Sequence, residues 1–474
     1  MQRIGHRAAW LIAGVVAAAV PAVWMWGFTV DDALISVRYA HNLAVGNGWR
    51  FNAGGPSTDG VTPLPWPLVL APLARADALV VLSRAKALGL LLWGVAGGWL
   101  GARVGEVRVA PAWARASALA TMALATPLAA YAVSGMETAL ATTLATGAVL
   151  AGGRLRVSAL LAGLAASLRP EMAPWAFALA VGLGVALRAP RMRVAQAAAL
   201  ALAPFVLCAL VRVGVWGRPA PLALLAKPSD LAHGLAYAGA GCVVAVVPLL
   251  VLAPKALRCD RVALALVIAY AVHVGAVAFA GGDWMPFFRL LAPACPSLVW
   301  AAVLVSARAR RAASAVRSAV AIAAGLVLLP RACDKRHVQE DRATLVATAA
   351  PWLDDVHAVA ALDVGWVSAA TAANVVDLAG VTDPEVAVLR GGHTSKRVDP
   401  MFLLSRHVDA LLLYTQSGLP DDDLQAWRDA VYRSVVEARL AADDVIARHF
   451  APVAWLPLGS SGAGYVLLRA AAGE

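Results

Sequence analysis

A series of apolar segments recurring from Ala8 to about Leu329 is the feature that most constrains this chain. Several of these segments approach the roughly 20 residues that an α-helix needs to cross a bilayer. Only 15% of the residues are charged, against about a quarter in a typical soluble domain. The pattern predicts an all-α polytopic membrane bundle over residues 1–330 and a more polar domain over residues 331–474.

Eleven apolar segments are candidate transmembrane helices, although several are short. They are Ala8–Gly27, Ala87–Ala102, Ala116–Val133, Thr138–Leu150, Val157–Leu168, Met172–Leu187, Val194–Val211, Leu235–Leu252, Val262–Ala280, Leu290–Val305 and Val320–Leu329. The first follows Arg3 and Arg7 as a signal peptide would, but no small-residue cleavage site leads into a polar segment. We therefore interpret it as an uncleaved helix.

The basic residues of the loops predict the orientation. With a cytoplasmic N-terminus, one set of alternate loops collects the clusters around Arg103, Arg154, Arg188, Arg258 and Arg308, and positive loops mark the cytoplasmic side. These loops also account for much of the net charge of +11, so we do not expect a nucleic-acid partner. A multi-pass protein of the inner (plasma) membrane, with the C-terminal domain outside the cytoplasm, is predicted.

The segment Pro63–Leu82 is apolar enough to span, but it contains four prolines and is interrupted by Arg75 and Asp77. If it crossed the bilayer, every later loop would change sides. We expect it to be a re-entrant or interfacial part of a large first outer loop, residues 28–86, where protein buries its free backbone groups.

The same orientation places most acids of the membrane region at the outer face, although they were not used to derive it. Carboxylates at membrane depth are costly and usually functional, which indicates a site at that face. The outer acids are Asp31, Asp32, Asp59, Asp77, Glu137, Glu171, Asp230 and Asp283.

Asp31 and Asp32 directly follow the first helix and its interfacial Trp24 and Trp26. They also begin a stretch with helical spacing, so they are either dipole partners of a helix N-terminus or catalytic groups. In the second interpretation one carboxylate takes a proton from an acceptor hydroxyl, and the other orients that acceptor or binds a cation.

Further outer-face residues are candidates for binding the donor phosphate or the substrate. Each has a structural alternative, such as a local ion pair, an interfacial anchor or a snorkelling lysine. The candidates are Arg38, Glu137, Arg169, Glu171, Lys227, Asp283, Trp284 and Arg289.

Phosphate-loop, HExxH and paired CxxC motifs are absent from the sequence, and its five cysteines are scattered. The glycine-rich stretch 459–464 precedes a strand-like run and favours a hairpin loop. No metal ligands are assigned, although assistance by a divalent metal stays open.

The stretch 31–52, containing Asp31, Asp32, Arg38, Tyr39 and Asn52, resembles the first outer loop of GT-C membrane glycosyltransferases, especially the mycobacterial terminal arabinofuranosyltransferases. Later segments resemble that group's motifs in the same order. They are Ser134–Leu140, Leu168–Glu171, Ala226–Lys227, Gly281–Pro286, Asp363–Gly365 and Val376–Glu385. The chain departs from the group at Asp59–Pro63 and Leu222–Leu225, so the resemblance does not fix the sugar as arabinofuranose.

The resemblance implies a polyprenyl-phosphate sugar donor, inversion at the anomeric carbon and an acidic base in the first loop. It carries catalytic roles to Asp31 and Asp32, and places Lys227 and Arg289 on the phosphate. The acceptor is a glycan, a lipid or a protein. A transporter or flippase of lipid-linked sugars, and a non-catalytic scaffold, are the alternatives.

Strand-like runs predict an α/β fold for the C-terminal domain. They are Ala358–Leu362, Ala410–Tyr414, Val453–Leu456 and Tyr465–Leu468, around a helix-like stretch from Asp421 to about Arg448. The domain is expected to cap the site, to hold the acceptor or to be a structural lid without a chemical role. His393 is the residue of this domain that we expect could extend into the site.

Overall fold

This computed structural model describes residues 2–244, 247–250, 253–419 and 424–471, and it is mostly helical with one small sheet. The helices before the sheet, labelled in chain order, are α1 Gln2–Trp24, α2 Asp31–Ala44, α3 Pro65–Leu70, α4 Ala78–Glu106, α5 Ala112–Leu124, α6 Thr126–Ala132, α7 Thr138–Leu150, α8 Leu155–Leu168, α9 Ala173–Ala186, α10 Arg191–Trp216, α11 Leu222–Ala226, α12 Leu231–Val244, α13 Pro254–Cys259, α14 Arg261–Phe279, α15 Cys295–Ser306, α16 Arg311–Leu326, α17 Leu329–Lys335 and α18 Val338–Leu353. Single 3-10 segments occur at Ala71–Leu73, Pro170–Met172, Val247–Leu250, Arg289–Ala294 and Leu424–Asp429.

Six helical segments of the described chain are long and apolar enough to cross a membrane. They are Gly5–Trp24, Ala78–Glu106, Arg191–Trp216, Arg261–Phe279, Arg289–Ser306 and Arg311–Leu353. Four shorter apolar helices accompany them at Thr138–Leu150, Leu155–Leu168, Pro170–Ala186 and Leu231–Val244. A helix of 13 or 14 residues is only about 20 Å long, which is less than the ~30 Å hydrocarbon core.

One predicted span differs from the structure, and another lies partly outside the described residues. Ala116–Val133 is not one helix, because the chain breaks at Ala125 between α5 and α6, immediately before the Thr126-Pro127 pair. Proline restricts the residue before it and lacks a backbone donor, so a helix ends more readily there. The other span, Leu235–Leu252, includes residues 245–246 and 251–252, which lie outside the described part.

The helix ends next to the predicted cytoplasmic loops are joined by ion pairs. Glu106 at the end of α4 forms ion pairs with Arg103 at 2.5 Å and with Arg7 of α1 at 3.6 Å. Asp260 before α14 pairs with Arg308 after α15 at 3.2 Å. The guanidinium of Arg103 lies over the ring of Trp300 in α15, which joins these two groups.

The apolar segment Pro63–Leu82 does not form a spanning helix. It contains the six-residue α3, a 3-10 turn and the first residues of α4. It packs beside α2, where His41 Nδ1 lies 2.9 Å from the Ala74 carbonyl and Arg75 donates to the Ala44 carbonyl at 3.0 Å.

The C-terminal part contains a five-stranded sheet covered on both faces. Its strands are β1 Ala358–Ala361, β2 Asn374–Asp377, β3 Ala410–Thr415, β4 Phe450–Pro457 and β5 Gly464–Ala470, in the order β2-β1-β3-β5-β4. Strands β2, β1 and β3 are parallel, and β5 and β4 follow as antiparallel neighbours. The helices here are α19 Val364–Ala370, α20 Pro384–Ala387, α21 Pro400–Ser405, α22 Val435–Ala442 and α23 Asp444–His449.

All four predicted strands are present, and β4 and β5 form the expected hairpin around residues 458–463. The sequence did not reveal β2. The helix predicted from Asp421 to Arg448 is wrong as one element, because the described part is a 3-10 segment, α22 and α23, with Asp443 capping α23. Residues 421–423 lie outside the described chain.

The two faces of the sheet belong to different cores. Ala358 and Ala360 of β1 pack with α22 and α23, whereas Val359 and Ala361 belong to the core that continues into the membrane helices. Because successive strand residues point to opposite faces, one strand serves both cores. The sheet is thereby fixed against the bundle.

Candidate functional site

Predicted outer-face residues meet around a cavity of about 410 Å³, here called the membrane cavity. It lies where the 133–138 turn, the α8–α9 turn, α11 and the 280–290 segment come together. Apolar lining residues include Leu224, Ala276 and Leu290. The charged residues that line it are Asp32, Glu137, Arg169, Glu171, Lys227, Asp283 and Arg289.

Buried ion pairs hold one wall of the membrane cavity. Arg169 donates to Glu137 at 2.8 Å and to Glu171 at 2.7 Å, and the Arg169 and Glu137 side chains are 4% and 0% exposed. Pro170 ends α8 and starts the 3-10 turn that brings Glu171 back onto Arg169. Since Glu137 directly precedes α7, the triad joins three helix ends.

A second buried pair also lines the membrane cavity. Arg289 Nε lies 2.7 Å from Asp283 Oδ2, and an Arg289 Nη donates to the sulfur of Met136 at 3.3 Å. Burial opposes ionisation of Asp283, but Arg289, Lys227 and Arg169 outweigh it and lower the pKa of that carboxyl. Asp283 is therefore an ionised partner of Arg289.

A larger cavity of about 760 Å³, the interdomain cavity, lies between the bundle and the C-terminal sheet. It shares Asp32, Lys227 and Asp283 with the membrane cavity. Residues after the carboxyl ends of β1 and β2 line it, which is where open parallel sheets usually bind ligands. Its other polar lining residues include Asp31, Lys335, Arg342, Asp363, Asp377, His393 and Arg433.

Asp31 holds the C-terminal part. Its carboxylate accepts the backbone N–H groups of Gly365 at 2.7 Å and Trp366 at 2.9 Å, in the first turn of α19. Burial and the nearby Asp363 raise the pKa of Asp31 to about 6, against the opposing effects of Arg342 and the two N–H groups.

Arg38 lines neither cavity. Its guanidinium donates to the carbonyls of Ser368 at 2.9 Å, Thr371 at 3.0 Å and Ala373 at 3.3 Å. Asn52 makes two hydrogen bonds with the backbone of Val375 in β2, at 2.9 and 3.0 Å. The most specific part of the family-like loop thus docks onto the C-terminal domain.

Asp32 and Lys227 stand apart from the paired charges. Neither side chain makes a hydrogen bond or ion pair with any residue that the structure describes, and both line both cavities. Asp32 lies within electrostatic range of Arg289 and His393. A free carboxylate and a free ammonium therefore face the junction of the two cavities.

Aromatic side chains lie at the rim of the interdomain cavity. Trp284 is 70% exposed, and its ring stacks on His233 with centroids 4.6 Å apart. The ring of His393 lies 5.9 Å from Trp284. Burial and the nearby Lys227 lower the pKa of His393 to about 4, so its imidazole is neutral at pH 7.

Sequence reasoning did not assign a role to the Asp59–Arg212 pair. Arg212, at the end of α10, donates to Asp59 at 2.9 Å and to the carbonyls of Val61 and Thr62 at 3.1 and 2.8 Å. These bonds fix the Gly60–Pro63 segment, which lines the membrane cavity. The position of Arg212 at the end of a long apolar run could have predicted this pair, because a charge at membrane depth usually has a partner.

A polar cluster on the C-terminal side was also missed. Asp363 accepts from Arg433 at 2.7 Å and from the hydroxyl of Tyr465. Burial raises the pKa of Asp363, but Arg433 and Arg342 outweigh it and hold the pKa below its ordinary value. Asp363 follows β1, Tyr465 lies in β5, and Arg342 and Arg433 come from two other segments, so no local spacing indicates that they meet.

No group of three or more His, Cys, Asp or Glu within the described ranges is arranged to hold a metal ion. The acids around the membrane cavity do not fit a divalent cation well, because Glu137, Glu171 and Asp283 already neutralise Arg169 and Arg289.

Comparison of the chain with protein-family models, curated proteins and solved structures gave no significant match.

Proposed function

We propose that this chain is a GT-C-type membrane glycosyltransferase that moves a sugar from a polyprenyl phosphate to an extracytoplasmic acceptor. The observation that carries the proposal is the unpaired carboxylate of Asp32, which lines both the membrane cavity and the interdomain cavity. One cavity suits a lipid phosphate, and the other suits a hydroxylated acceptor. The acid between them is free to take a proton.

The proposed topology has eleven crossings: the six long segments, the four shorter apolar helices and the broken pair α5–α6. The charged triad lies at the ends of the short helices α7, α8 and α9. If their other ends are level with the cytoplasmic surface, Glu137, Arg169 and Glu171 lie deeper than the outer headgroups. A lipid phosphate with its first isoprene units would reach that depth.

In the proposed reaction, Asp32 accepts the proton of an acceptor hydroxyl while the hydroxyl oxygen bonds to the anomeric carbon. The bond between that carbon and the phosphate oxygen breaks, and its electron pair stays on the departing polyprenyl phosphate. Lys227 and Arg289 line the cavity where this charge develops and would stabilise it. A single displacement inverts the anomeric configuration.

Asp31 and Asp32 have separate roles in this proposal. Neighbouring helical residues point in different directions, about 100° apart. Asp31 therefore caps α19, while Asp32 faces the cavities. Arg38 and Asn52 assist Asp31 in docking the C-terminal domain, which closes the acceptor side of the site.

The test is an assay of purified protein with a panel of polyprenyl-phosphate pentoses and hexoses and with glycan, lipid and peptide acceptors. We expect label from at least one donor to appear on an acceptor, with release of polyprenyl phosphate. Movement of an unconsumed donor between leaflets would instead support the flippase alternative. Donor binding without either event would support a scaffold.

Replacing Lys227 by Met should reduce kcat/KM for the donor by roughly 10- to 100-fold, because a hydrogen bond to a charged group contributes about 1.5–3 kcal/mol. The matched control is Lys255→Met, since Lys255 is exposed in α13 and lines neither cavity. Steady-state kinetics with varied donor checks this. Equal effects of both substitutions would remove Lys227 from the phosphate site.

Two exposed cysteines test the orientation. Cys259 ends α13 on the side proposed to be cytoplasmic, and Cys333 lies in α17 on the proposed outer side. A membrane-impermeant maleimide should label a variant that keeps only Cys333 in intact cells. It should label a variant that keeps only Cys259 only after the cells have been opened. The reverse pattern would invert the topology.

A further inference from the structure

Four arginines line a cavity of about 550 Å³ at the ends of α7, α8 and α9 opposite to the membrane cavity. We call it the arginine cavity. It lies between the α7–α8 connection and the α9–α10 connection. Arg154 precedes α8 and Arg156 lies in its first turn, whereas Arg188 follows α9 and Arg193 lies in the first turn of α10. All four side chains belong to exposed residues, and no acid is among the lining residues.

These four arginines form no ion pair within the described chain, whereas some basic residues on the same face do. Within the described chain, only Arg156 has a side-chain hydrogen bond, to Gln196 at 2.9 Å. By contrast, Arg103 pairs with Glu106 and Arg308 pairs with Asp260. Four like charges around one cavity repel each other, and a bound anion would relieve that repulsion.

Arg188 occupies a backbone position that favours glycine. Its φ is 54°, in the left-handed region. The N–H of Ala189 donates to the Gly184 carbonyl and the N–H of Arg188 to the Val185 carbonyl, which is the pattern of a Schellman motif ending α9. Glycine usually occupies this position because it avoids the strain of a side chain. The arginine therefore costs backbone strain and places a cation at the cavity.

Apolar side chains continue from the arginine cavity along the membrane helices. Leu155, Val157 and Leu187 are among its lining residues. Val157 and Leu187 are exposed, as are Leu160 and Leu164 further along α8. A ligand with a negative head and apolar chains matches this surface, whereas a free phosphate would use only the arginines.

We propose that the arginine cavity binds the phosphodiester headgroup of an anionic phospholipid, with its acyl chains along α8. Arginine forks bind phosphate oxygens in pairs, and basic pockets at helix ends on the cytoplasmic side of a membrane attract anionic headgroups. Charge bias for orientation explains why arginines occur in these turns. It does not explain their convergence from two turns on one cavity. The proposal is independent of the sugar-transfer reaction.

The test is native mass spectrometry of the delipidated protein titrated with phosphatidylglycerol, with phosphatidylcholine as the neutral lipid. We expect one saturable phosphatidylglycerol adduct that the double variant Arg154→Gln/Arg188→Gln weakens by about 10-fold or more. The matched control, Arg310→Gln/Arg311→Gln, removes the same charge from another exposed turn on this face and should change the affinity less than twofold. Equal weakening by the two pairs would mean diffuse attraction and would overturn the proposal.

Two further results keep the test decisive. Arg188→Gly should preserve or raise the melting temperature, because glycine suits the left-handed position, and should still weaken phosphatidylglycerol binding. Unchanged lipid affinity in this stable variant would contradict the proposal. Inorganic phosphate that competes at the concentration of the lipid would also contradict it, since the site would then recognise a free anion.

Discussion

Asp32→Asn is expected to lower kcat for sugar transfer by about 10³-fold while donor affinity changes little, because a positioned general base contributes roughly 10²- to 10⁴-fold. Asparagine keeps the size of the side chain but does not accept the proton. Because Asp32 is unpaired, this substitution breaks no ion pair within the described residues, and its effect on kcat can be assigned to the lost base. Single-turnover transfer with saturating donor measures the effect.

Asp31→Asn is the matched control, because it makes the same replacement of a carboxylate by an amide at the neighbouring residue. An amide oxygen can still accept one of the two N–H groups of α19, so we expect weaker docking of the C-terminal domain and faster proteolysis. Transfer should persist at a reduced rate. If Asp31→Asn abolishes transfer and Asp32→Asn does not, the two roles are reversed.

Arg169→Met is expected to destabilise the protein by about 3–5 kcal/mol, because it leaves the buried carboxylates of Glu137 and Glu171 without their cation. Unfolding by SDS titration in mixed micelles measures this loss. The additional changes Glu137→Gln and Glu171→Gln should restore part of it, since they remove the uncompensated charges.

The control for this prediction is Arg428→Met. Arg428 forms an ion pair of similar length, 2.8 Å, with Asp444, but these side chains are 40% and 83% exposed. Solvent screens such a pair, so its loss should cost no more than about 1 kcal/mol. If both methionine variants lost the same stability, the triad would not be a buried electrostatic support of the cavity.

The apolar pattern predicted much of the helical architecture. The helix positions follow from hydrophobicity, and the acids at the ends of apolar runs predicted which helix ends meet. Glu137, Arg169, Glu171, Lys227, Asp283 and Arg289 do lie together around one cavity. A membrane carboxylate or cation needs compensation, and that need is visible in a sequence as charges at the ends of apolar runs.

The sequence did not reveal which of those charges pair with each other. Nothing in the sequence distinguishes Asp31 from Asp32, because the distinction depends on α19, more than 330 residues away, which places two backbone N–H groups on one of them. Arg38 lies in the most family-like stretch, yet three of its four acceptors are carbonyls of the C-terminal part. Tertiary contacts of this kind have no local pattern.

The missed strand β2 has a similar cause. Asn374–Asp377 is only four residues long and carries one apolar pair, Val375 and Val376, so neither length nor alternation marks it. Its register is fixed by parallel pairing with β1 and by Asn52 of the first outer loop. The strand depends on a residue from the other part of the chain.

The anomeric configuration of the product reports whether the acceptor displaces the phosphate directly. Purified protein would be supplied with a polyprenyl-phosphate sugar of known anomeric configuration, and the glycoside formed on the acceptor would be analysed by NMR. Direct attack by an acceptor activated by Asp32 predicts an inverted anomeric centre. Retention of configuration, or a donor that binds and is never cleaved with any acceptor, would contradict the account.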